Sequence, residues 1–60
     1  MDYTNIYNDL KVRVTFETDK NVCLIVIDNP YNVENFYTGK NFTISKYNFE
    51  NDYELIKESM

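Results

Sequence analysis

Histidine is absent from this 60-residue chain, and cysteine, glycine and proline occur once each. Each shortage closes off a class of chemistry. Without histidine the commonest general acid–base group is missing, and one thiolate cannot build the tetrahedral ligand set of zinc. Cys23 has no partner within the chain, so no intrachain disulfide can staple the fold. Gly39, as the sole glycine, leaves no material for a glycine-rich phosphate loop. No apolar run approaches the roughly 20 residues that cross a bilayer. Met1-Asp2-Tyr3-Thr4-Asn5 lacks the basic start and apolar stretch of a signal peptide. A lone cysteine fits a reducing compartment, so a cytoplasmic location without membrane contact is expected.

Positive charge is also scarce. Six Lys and Arg stand against ten Asp and Glu, a net charge of −4, and binding to phosphate backbones needs clustered cations. The acids are scattered rather than run together, so no acidic interaction tail is present. Asp28, Glu34 and Glu50 sit in no arrangement suited to acid–base catalysis. A calcium loop starting at Asp28 would place Pro30 at its third position, Val33 at its sixth and Gly39 at its twelfth, and all three break the pattern. Neither a catalytic activity nor a metal nor a cofactor is expected.

What the chain does have is hydrophobic content of 43% and aromatic content of 17%, which argue against disorder. Six consecutive apolar residues, Val22-Cys23-Leu24-Ile25-Val26-Ile27, lie near its middle. A strand points alternate side chains to opposite faces. Val22, Leu24 and Val26 therefore leave by one face, and Cys23, Ile25 and Ile27 by the other, and both faces want to be dry. A chain this small buries roughly 60% of its unfolded surface, and such a core seldom supplies more than ~3–5 kcal/mol. With disulfides and metal excluded, oligomerisation is the remaining route to added stability, and a homodimer is expected.

Along the chain, Leu10, Val12, Val14 and Phe16 alternate with Lys11, Arg13, Thr15 and Glu17, the period of a half-buried strand. Thr18-Asp19-Lys20-Asn21 supplies turn residues, so a hairpin over 10–28 follows. From Val33 to Thr38 two readings stand. Asn29 and Pro30 can open a short helix that closes at Gly39. Alternatively, 33–38 is a strand joined by Gly39-Lys40 to a second strand over 41–46, and the residue preferences lean that way. At the C-terminus, Asn51 and Glu54 have cap-plus-third-residue spacing. Phe49, Tyr53, Ile56 and Met60 recur at helical spacing, so a docked helix is expected there. The whole reads as one α+β domain over 1–60: a small antiparallel sheet of three to four strands in a meander, packed against a C-terminal helix. That helix is expected to cover Leu10, Val12, Val14 and Phe16.

Cys23, flanked by Val22 and Leu24, reads as a buried structural thiol rather than a nucleophile, which needs a base or positive neighbours. Tyrosine is suited to interfaces because it pairs a rigid apolar body with a polar tip. Cys23, Ile25, Ile27, Tyr31, Tyr37 and Tyr47 are the candidate interface. Base stacking would need Tyr37, Phe42 or Tyr47 beside Lys40 and Lys46, a thin basic groove. Nine Asn and six Tyr accompany a complete lack of Ala, Gln, His and Trp, a bias toward AT-rich codons. In this overall character the chain resembles the small proteins that phages carry to block host enzymes or defence systems. The resemblance implies a non-catalytic inhibitor that docks on a bacterial host or defence protein. The alternative is a small nucleic-acid-associated or accessory structural protein of a mobile genetic element.

Overall fold

The computed structural model describes residues 1–57. The alternating segment and the apolar run pair as strands, and three further strands join them. In chain order the elements are β1 (Asp2–Asn5), β2 (Lys11–Glu17), β3 (Asn21–Asp28), β4 (Asn41–Ser45), the helix α1 (Lys46–Asp52) and β5 (Tyr53–Leu55). They form one five-stranded sheet in the order β4-β3-β2-β1-β5, every neighbouring pair antiparallel. The first four strands make the expected meander. α1 then carries the chain back across the sheet and lays β5 beside β1.

The β2–β3 hairpin turns where Thr, Asp, Lys and Asn foretold it. Thr18 N donates to Asn21 O at 2.9 Å, and Asn21 N donates to Thr18 Oγ1 at 3.1 Å. The core lies on one side of the sheet. Leu10, Val12, Val22, Leu24 and Val26 are buried there, with Tyr3, Val14, Phe42, Ile44, Phe36, Phe49 and Tyr53 packed around them. α1 sits on that side through Phe49, whose ring meets Tyr3 edge-on at 4.7 Å and stacks on Tyr53 at 5.5 Å.

The expected C-terminal helix is corrected in place and length. It spans seven residues between two strands, and its cap is Ser45, not Asn51: Ser45 Oγ accepts from Asn48 N at 3.1 Å. At Tyr53 the backbone turns extended, with φ −127° and ψ 145°, and Tyr53-Glu54-Leu55 pairs with Asn5-Thr4-Tyr3. Short helices are marginal on their own. Here a ladder to β1 satisfies the same backbone groups and lets Tyr53 reach the core. Of the supposed helical stripe, Phe49 lies on α1, Tyr53 on β5 and Ile56 beyond it; Met60 lies outside the described residues. The sheet has five strands rather than three or four because of this β5 and because residues 2–5 are a full interior strand.

Residues 29–40 are neither helix nor strand but a closed loop between β3 and β4. Its ends meet where Gly39 N donates to Val26 O at 2.8 Å and Val26 N donates to Lys40 O at 2.9 Å. The Asn29 side chain organises its interior. Asn29 Oδ1 accepts from Val33 N at 2.8 Å, and Nδ2 donates to Val33 O and Phe36 O, both at 3.0 Å. Asn32 (φ 53°) and Asn35 (φ 71°) take left-handed conformations, which asparagine tolerates better than most residues. Gly39, at φ 92°, is the third residue of a turn in which Lys40 N donates to Tyr37 O at 3.0 Å, the position where a type II turn calls for glycine. Phe36 anchors the loop to the covered face, its ring edge-on to Phe42 at 5.0 Å. The β1–β2 connection is built similarly, with Asn5 Oδ1 accepting from Tyr7 N at 2.8 Å and Asn8 Oδ1 from Leu10 N at 3.0 Å. Much of the chain's asparagine thus does turn chemistry.

Candidate functional site

With α1 and the 29–40 loop on one side, the other side of the sheet is left open by the described residues. Strand register assigns its residues. Arg13 pairs with both Asp2 and Ile25, and Ile25 with Asn41. Cys23 pairs with Thr43. Cys23 and Ile25 form an apolar row along β3 on this side, with Ile27 at its far end, and all three are half-buried.

Phe16 joins this row, against the expectation that it lies under the helix. The reason is a conflict of registers. A regular ladder grown from the Thr18–Asn21 turn would pair Val14 with Ile25 and set each apolar set against the wrong face. The observed pairs are Val14 with Leu24 and Phe16 with Cys23, so Thr15 is an extra residue in β2. Such a bulge restores the core pairing, since a one-residue shift swaps the faces. It also leaves Phe16 on the open side, 63% exposed. Thr15 Oγ1 donates to Cys23 O at 3.2 Å across the bulge. A second irregularity, between Lys11–Asp28 and Val12–Val26, makes Ile27 the extra residue of β3 and returns Lys11 and Asp28 to the open side.

Cys23 is therefore not the buried thiol expected. It is half-exposed on this face, its Sγ 3.4 Å from Thr43 Oγ1. Beside the apolar row the face is charged but balanced. Arg13 grips Asp2 with two bonds, Nε to Oδ1 at 2.8 Å and an Nη to Oδ2 at 3.2 Å. That guanidinium holds the Asp2 carboxyl below its ordinary range, and the carboxylate in turn raises Arg13. A shallow depression of about 400 Å³ opens next to the pair, lined by Met1, Asp2, Arg13, Leu55 and Ile56.

Of the six candidate interface residues, the structure brings Cys23, Ile25 and Ile27 together and sets the tyrosines apart. Tyr31 and Tyr37 stand on the 29–40 loop and Tyr47 on α1, exposed by 71%, 64% and 76%. The aromatics considered for base stacking share no single surface: Phe42 packs inward, while Lys40 Nζ donates to Asn35 O at 2.6 Å and Lys46 pairs with Glu17 at 3.3 Å. Phe16 is the functional candidate that alternation alone missed. Its signal was legible in the mismatch between turn register and apolar register. Among the described residues no cluster of three or more Cys, Asp or Glu could hold a metal ion, and no helix is long and apolar enough to cross a membrane. Comparison with protein-family models, curated proteins and solved structures finds no match.

Proposed function

We propose that this chain is a non-catalytic protein-binding module, of the phage-type inhibitor kind, that acts by occupying surfaces of other proteins. The observation that carries this reading is the open sheet face, where a bulge turns Phe16 outward beside Cys23, Ile25 and Ile27. Exposed apolar patches rimmed by polar residues mark contact surfaces. The three displayed tyrosines offer a second surface, in line with the enrichment of tyrosine at binding sites. Composition supports a bacterial host or defence protein as the target. Affinity capture from a bacterial lysate, run beside gel shifts with single- and double-stranded DNA, tests the reading. The expected result is a stoichiometric protein partner that is lost with Phe16→Glu or with the Tyr31→Ser/Tyr37→Ser double variant. A DNA shift without a captured protein would put the nucleic-acid reading in its place.

A further inference from the structure

We infer that the occupant of the open face is a second copy of this chain, packed sheet against sheet about a two-fold axis; this rests on the protein-binding reading above and names its first partner. Size is one argument. A specific interface buries about 800 Å² per partner. The molecule measures 31 × 30 × 19 Å, so its broad side offers at most roughly 900 Å² in projection, judged against that requirement. A partner must therefore cover a large part of the face. A second open sheet does this at the ~10 Å separation at which facing side chains interdigitate.

Charge is the other argument. The open face holds Lys11 and Arg13 against Asp2, Asp28 and Glu54, as the strand register places them. It is nearly neutral in a chain of net charge −4. Among the described residues most of the excess acid lies elsewhere, so two identical acidic chains meet with least repulsion on this side. A basic partner would be drawn to the acidic remainder instead. The apolar row runs along a single strand with Phe16 at its Cys23 end, so a copy turned by a two-fold presents the same row to it. Tyr31, Tyr37 and Tyr47 then face outward from both copies and are free to meet a third protein.

Analytical ultracentrifugation of the full chain, from about 1 µM to about 500 µM, reads the equilibrium directly. The mass should rise with concentration from 7.2 kDa toward twice that value. Phe16→Glu, and separately Thr43→Lys on the same face, should weaken association roughly 30-fold or more, because each buries a charge against the partner's apolar row. Tyr47→Ser should leave it unchanged. Circular dichroism confirms that each variant is folded, and both exchanged side chains are exposed. A single-chain mass at every concentration overturns the inference, as does a dimer that persists in both face variants. A monomer that still captures a protein through Phe16 overturns the second copy alone and leaves the protein-binding reading standing.

Discussion

Replacing Asn29 tests whether one side chain holds the 29–40 loop. Its amide makes three hydrogen bonds inside the loop, at 2.8, 3.0 and 3.0 Å. A typical internal hydrogen bond contributes about 0.5–1.5 kcal/mol net, and a polar group left partly buried without a partner costs more. Asn29→Ala should therefore destabilise by about 2–3 kcal/mol, summing those contributions for a half-buried site. That is a large share of the ~3–9 kcal/mol expected for a domain of this length. Asn29→Asp sharpens the test. It keeps the acceptor for Val33 N but loses both donors and turns a carboxylate toward the carbonyls of Val33 and Phe36. At neutral pH it should be at least as damaging as alanine. The folded state would then disfavour the charged form and raise the introduced group's pKa above its unfolded value. Relative to wild type, stability should return below the unfolded pKa and be lost as pH rises through the folded one. Urea titration followed by circular dichroism gives the energies, and amide exchange at Val33 reports the loop locally. An Asn29→Ala protein within about 0.5 kcal/mol of wild type, the range of an ordinary surface change, would refute the clamp. So would an Asn29→Asp protein as stable as wild type at pH 7.

Leu24, fully buried between Val14 and Phe42, should cost about 2–5 kcal/mol when cut to alanine, enough to unfold much of the population in a urea titration. Deleting Thr15 should leave Val14–Leu24 and Phe16–Cys23 as consecutive pairs of a regular ladder. Its cost should stay near the ~1 kcal/mol of the lost Thr15–Cys23 bond. Nuclear Overhauser contacts between Phe16 and Cys23 should persist, and an unfolded deletion protein would contradict the bulge assignment. Tyr53 is raised above the ordinary phenol value of 10.0, first by burial and then by the Asp52 charge, with the nearby Asn5 side chain opposing. A raised folded-state pKa contributes stability below pH 10 that is lost as pH rises through the folded value. Tyr53→Phe should flatten that alkaline loss in thermal melts taken across the range, and an unchanged slope would place the loss on another group.

The central hairpin of this protein was legible in local patterns alone. Alternation over 10–17, turn residues at 18–21 and an apolar run at 22–27 are local patterns, and a hairpin follows from them because side-chain period and turn chemistry act within a few residues. The same run, apolar on both faces in a chain too short to cover both, already implied one open face, with Cys23, Ile25 and Ile27 on it. Contacts between residues distant in the chain set the remaining elements. Residues 53–55 carry helical spacing, yet β1 needed a partner on its free edge, and a ladder formed there outweighs a marginal helical turn. Residues 33–38 carry strand preferences, but Asn29 reaches four and seven residues along the chain to bond the backbone that a ladder would have used. Phe16 sits in perfect alternation and still faces the other way. The turn at 18–21 demanded one register and the core pairing of Val14 with Leu24 another, and the two differ by a single residue. Only the assembled sheet could reconcile them, by a bulge at Thr15, and that reconciliation is what put an aromatic ring on the open face.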